Sequence, residues 1–103
     1  MPRYNVEYNG KWACFSSIVD AFVTGFMNKA EYEEWRIKEF GLYDYEPAEK
    51  CNMMSMEEAV DSIQFYMERE EAIKHLIKCG LPHEDCEELI SNSQYDRSAK
   101  KER

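Results

Sequence analysis

Two histidines and two cysteines, His75, Cys79, His83 and Cys86, are the residues best suited by type to hold a metal. His75 and Cys79 stand at i,i+4 and His83 and Cys86 at i,i+3. On two helices joined by a short turn they would converge, and four nitrogen and sulfur ligands suit structural zinc. The competing role is packing, because His83 and Cys86 are equally placed to lie beside Leu89, and the spacing belongs to no zinc signature. Packing is the favoured reading, so no metal and no cofactor is expected. Cys79 and His75 could also form a nucleophile and its base, but no third residue is placed to orient the histidine. Motifs of the Walker, G-x-S-x-G and H-E-x-x-H kinds are absent, and Gly10, Gly25, Gly41 and Gly80 all have structural explanations. An enzyme is not expected.

The remaining chemistry belongs to carboxylates. Asp and Glu number 21 against 13 Lys and Arg, a net charge of −8. Residues 29–92 hold 17 of the acids and 7 of the bases, residues 1–28 balance, and residues 93–103 carry +2. The acids cluster as Glu31, Glu33 and Glu34; Glu57, Glu58 and Asp61; Glu68, Glu70 and Glu71; and Glu84, Asp85, Glu87 and Glu88. Many fall in first helical turns, where the helix dipole favours negative charge. The group at 68–71 and the aromatic pair Tyr32 and Trp35 are less well explained that way. A body so charged repels duplex nucleic acid and anionic membrane. Carboxylates fixed on helices can instead imitate a phosphate backbone and fill a basic groove, with aromatic side chains as desolvated anchors. The residues expected to meet such a partner are Glu31, Tyr32, Glu33, Glu34, Trp35, Glu68, Glu70, Glu71, Asp85, Glu87 and Glu88. The alternative is that the acids only keep the protein in solution.

The elements that must position these groups are an N-terminal hairpin and four or five helices. Tyr4, Val6 and Tyr8 alternate with polar residues, Asn9-Gly10 follows, and a second run holds Trp12, Cys14 and Phe15. Asn-Gly between two such runs predicts a tight hairpin. Ile18, Val19, Phe22, Val23, Phe26 and Met27 form a stripe at helical spacing, which predicts a core helix over 18–27. Asn28 and Glu31 make a capping box for a helix over 29–40 that ends at Gly41. Its apolar residues fall on two sides, Tyr32 with Trp35 and Ala30 with Ile37 and Phe40, so it is either sandwiched or offers one side to a partner. Tyr43 and Tyr45 alternate with acids, and residues 51–54 are the candidate for a third short strand. Ser55 and Glu58 cap a helix through Ala59, Val60, Ile63, Tyr66 and Met67. The apolar phase then slips before Ile73, Leu76 and Ile77, and an unbroken helix of about 36 Å would outrun a domain this small. A break near 68–71 is expected. Cys79-Gly80-Leu81-Pro82 stops one helix and starts the last, over about 82–91.

The 103 residues, 44% of them hydrophobic, support one α+β domain over 1–92 with a polar, disordered tail over 93–103. No run is long enough to cross a membrane, the first residues lack a secretory signal, and the four cysteines are expected as reduced thiols in a cytosolic protein. The run Asn9-Gly10-Lys11-Trp12-Ala13-Cys14-Phe15-Ser16-Ser17-Ile18-Val19, followed by Tyr32-Glu33-Glu34-Trp35, resembles small proteins of bacteriophages and mobile elements in Firmicutes. In size and acidity the chain is also similar to phage anti-CRISPR proteins, several of which block a Cas nuclease by mimicking DNA. That second likeness involves no shared motif, and no residue role is carried over from it. The resemblance implies a partner that is a basic protein, such as a Cas nuclease or another nucleic-acid-binding enzyme, met in the host bacterial cytosol. It implies no direct contact with nucleic acid or membrane. The alternative from the residues is a protein–protein adaptor or a homodimer formed through the second apolar side of helix 29–40.

Overall fold

Asn9 and Gly10 both adopt positive φ, 50° and 78°, as a two-residue hairpin turn of the primed type requires. In the computed structural model, which describes residues 3–41, 46–50 and 52–93 and only the backbone of Phe40, this turn joins β1 (Arg3–Tyr8) to β2 (Lys11–Ser16). The register runs from Arg3 opposite Ser16 to Tyr8 opposite Lys11. A two-residue strand β3 (Ala21–Phe22) pairs antiparallel with the far end of β2, giving the order β1-β2-β3.

This third strand replaces the helix expected over 18–27. Ser17 to Asp20 form a four-residue hairpin turn, with Asp20 in the left-handed region at φ 51°. The backbone then follows β2: Val23 N–H donates to Cys14 O at 2.9 Å, and Trp12 and Met27 exchange both N–H···O bonds. Phe26 N–H donates to Cys79 O, and a Cβ on Gly25 would meet that same carbonyl oxygen at 3.3 Å. Ile18, Val19, Val23 and Thr24 are β-branched and Gly25 is a weak helix former, so the segment's propensity opposes the helix that its spacing mimics. Strand pairing, with its long-range bonds, wins. The candidate strand at 51–54 contributes a single parallel bridge, Asn5 to Met53. Cys51, Tyr43 and Tyr45 lie outside the described residues, as does the tail beyond Ser93.

The helices follow their caps. α1 (Lys29–Phe40) carries the Asn28–Glu31 capping box and closes at Gly41, and α2 (Met56–Tyr66) carries the Ser55–Glu58 box. Met67 and Glu68 are both extended, which ends α2 and starts α3 (Arg69–Lys78) at the expected break. Gly80 at φ 103° then turns the chain into α4 (His83–Ser91). Among the described residues no helix is long and apolar enough to cross a membrane.

Strand alternation divides the interior. Val6, Ala13, Phe15 and Phe22 face α2, α3 and α4, where Val60, Ile63, Leu76 and Ile90 complete the main core. Cys14 and Trp12 face the other way, onto Tyr32 of α1 and Ala48 in a single 3₁₀ turn (Ala48–Lys50). One polar residue crosses between layers. Asn5 is buried, and its Oδ1 accepts the Tyr32 hydroxyl at 2.5 Å while its Nδ2 donates to Ala48 O at 3.2 Å. Its N–H donates to Asn52 O and its carbonyl accepts from Met54 N–H. Tyr32→Phe removes the donor and takes a hydrogen bond from a buried amide oxygen, at a cost of about 1–3 kcal/mol. Urea denaturation of the two proteins measures this, and equal midpoints with equal slopes would contradict it.

Candidate partner-binding surface

The histidines and cysteines do not converge. His75 Nε2 accepts the Phe22 backbone N–H at 3.0 Å, and the imidazole stacks on the Phe22 ring at 6.0 Å. Cys79 Sγ lies 3.9 Å from His75 Nε2, while the buried Cys86 thiol donates to Leu81 O. His83 is exposed and pairs with Glu87 at 3.1 Å, away from the other three. Among the described residues no group of three or more His, Cys, Asp or Glu is arranged to hold a metal ion. Cys79 and His75 are not poised as a nucleophile and its base. Burial pushes the Cys79 and Cys86 thiols up to about 11, and the acceptor nitrogen of His75 is occupied by a backbone donor. Cys14, Cys79 and Cys86 are free thiols packed in the interior.

The expected partner residues scatter. On α1, Tyr32 has no exposed surface: it stacks between Trp12 at 6.1 Å and Trp35 at 5.8 Å, and burial holds its phenol protonated. It is a core residue, not a contact, because the sheet needs an aromatic cover on this face. Trp35 is half-buried with one ring face against Tyr32, on the packing side of the expectation. Glu31 closes the helix cap, and Glu33 bridges Lys29, Arg36 and the Ala48 N–H. Both are structural. Glu34 is exposed and lies 3.6 Å from Lys38, a surface pair of small energetic value.

Glu68, Glu70 and Glu71 are exposed around the first turn of α3. On α4, Asp85 is half-buried against the Tyr8 hydroxyl, Glu87 holds His83, and Glu88 is exposed. Arg69 at the start of α3 donates to Ser91 at the end of α4. The two helices are therefore antiparallel, and their acidic turns sit at opposite ends of a pair about 15 Å long. The α1 acids lie across the sheet from both. No single row of carboxylates results.

Three residues expected in the core, Ile18, Val19 and Tyr66, lie open instead, together with Phe65. Ile18 and Val19, at the tip of the β2–β3 turn, are 73% and 60% exposed, and Phe65 and Tyr66 at the end of α2 are 54% and 65% exposed. Phe65 and Tyr66 pack edge to face at 4.9 Å, and Asp20 joins them with Asp61 and Ser62 around one open depression, placing the turn beside the helix end. Tyr66 was expected on the buried stripe of α2. The signal that could have found this patch is Phe65, which falls off that stripe, together with two adjacent β-branched residues, Ile18 and Val19.

The His75 contact makes stability depend on pH. Burial lowers the His75 pKa below its ordinary value near 6.5, with Lys78 adding to the effect, so the unfolded chain binds the proton first. The contribution is complete above the ordinary value and is lost as pH falls through it. Urea midpoints at pH 7.5 and 5.5 should drop more for the native protein than for His75→Gln, in which an amide oxygen can accept the Phe22 N–H. Equal drops would contradict the contact.

Set beside known proteins, the chain matches no family model and no curated protein, and no solved structure matches its fold.

Proposed function

We propose that the protein acts by binding another protein, and that it does so through the apolar patch of Ile18, Val19, Phe65 and Tyr66. The observation that carries this reading is the exposure of Phe65 and Tyr66 around one depression with Asp20 and Asp61, with Ile18 and Val19 exposed in the same turn as Asp20. Chance exposure of single apolar residues is common, but contiguous groups mark contact surfaces. Glu68 follows Tyr66 by two residues, and with Glu70 and Glu71 it adds an acidic rim on α3. An apolar centre with a charged rim is the usual division of labour at an interface, the centre giving affinity and the rim giving rate and selectivity.

The rim and the net charge of −8 select a basic partner. The sharpest form is an inhibitor that occupies the nucleic-acid groove of a processing enzyme, as an anti-CRISPR protein does to a Cas nuclease. In that form the patch anchors beside the groove and the α3 acids stand in for phosphates. The adaptor reading uses the same patch without mimicry, and ionic strength separates the two because only charge-driven association is screened.

Capture from a bacterial lysate at low and high salt, with mass spectrometry of the eluate and then purified partner, tests the proposal. Ile18→Ser with Val19→Ser should leave thermal stability almost unchanged, since both side chains are already solvated, and should weaken the partner by about 2 kcal/mol or more. Reversing Glu68, Glu70 and Glu71 to Lys should change stability by no more than about 0.5 kcal/mol each while slowing association, most strongly at low salt. Full affinity in the serine variant would remove the patch from function. Full affinity in the lysine variant alone would leave the adaptor reading in place.

A further inference from the structure

The patch is one end of a longer feature. A first depression lies below the hairpin turn, between Tyr8 and the pair Met53 and Met54. A second, with a volume of about 650 Å³, lies between α2 and α4 over Met56, Val60 and Leu89. The third is the depression at Phe65 and Tyr66. The first two share Tyr8, Met56 and Glu57, and the last two share Asp61, so the three adjoin along α2. We infer that this groove receives a basic amphipathic helix of the partner protein. The inference rests on the protein-binding reading and names the element that would be bound.

The lining dictates the occupant. Its floor is apolar and rich in methionine, whose flexible thioethers adapt to a packed helix face. Its walls carry Glu57, Asp61, Glu88 and Asp20, and among the described lining residues there is no Lys or Arg. Burial and the nearby Asp85 and Glu88 carboxylates raise the Tyr8 pKa, so the phenol adds no negative charge of its own. A ligand must therefore bring an apolar stripe and cations together. An extended peptide would need a free strand edge, but the outer edge of β1 is engaged at Asn5 by Asn52 and Met54. A helix satisfies its own backbone, and α2, with 11 residues, offers a wall about 16 Å long, close to three turns. A second copy of this chain would bring another net −8 and is disfavoured.

The probe is a synthetic amphipathic peptide of Leu and Lys, about four turns long, titrated into the ¹⁵N-labelled full chain. Saturable shifts are expected at Tyr8 and along 56–61 and 88–93. Glu57→Lys with Glu88→Lys should weaken the peptide at least about tenfold, whereas Glu34→Lys with Glu39→Lys, the same charge change across the sheet, should weaken it less than about threefold. A Leu/Glu peptide of equal length should not bind. Equal effects of the two charge pairs, or shifts elsewhere, would overturn the groove. So would a full-length variant with Arg97, Lys100, Lys101 and Arg103 changed to Gln that moves the same amides without peptide, because the groove would then belong to this chain's own tail. Ile18 and Val19 line none of the three depressions. A natural partner that needs those two residues but tolerates Glu57→Lys with Glu88→Lys would overturn the groove and leave the protein-binding reading standing.

Discussion

The hydrogen bond from the Tyr32 hydroxyl to the Asn5 side chain fixes how the layers meet. Asn5 is buried on β1, where an unsatisfied amide would cost more than its bonds return. Its four polar groups are all engaged, by Tyr32, Ala48, Asn52 and Met54. One residue thus ties β1 to α1, to the 3₁₀ turn and to the segment that leads into α2. Because Tyr32 is committed to that bond and to stacking between two tryptophans, α1 presents its aromatic side inward. Whatever the protein binds, this face of the sheet is already covered.

The opposite face of the sheet packs on α2, α3 and α4. Phe22 enters the main core from a strand, and its N–H is held by His75 of α3. Strand pairing over 21–22 forces the preceding four residues into a turn, and that turn lifts Ile18 and Val19 into solvent. The break at Met67 and Glu68 ends α2 so that Phe65 and Tyr66 stand beside the same turn. The apolar patch is therefore a product of two local choices, a strand in place of a helix and two helices in place of one.

Much of this was legible in the residues. The Asn-Gly turn, both capping boxes and the stop at Gly41 rest on local chemistry, and the structure has each of them; the break expected near 68–71 rested on the slipped apolar phase and falls at Met67 and Glu68. The helix over 18–27 failed because apolar spacing cannot distinguish a helical stripe from a turn and a short strand that share the same residues. What decided it was pairing with β2 and the Cys79 carbonyl, both distant in sequence. The candidate site suffered for the same reason. Clusters of acids were visible, but Glu31 and Glu33 spend their charge on a cap and an ion-pair network, and α3 and α4 point their acidic turns to opposite ends. Tyr32 read as an anchor because a buried aromatic and an exposed one look alike in sequence.

The proposed contact lies on the side of the 17–20 turn and the end of α2, away from α1. Hydrogen–deuterium exchange of the protein alone and saturated with its captured partner addresses this directly. Slowed exchange is expected in residues 17–23 and 62–71, with the amides of α1 unchanged. Protection confined to residues 29–40, with the turn and the end of α2 exchanging as in the free protein, would contradict it.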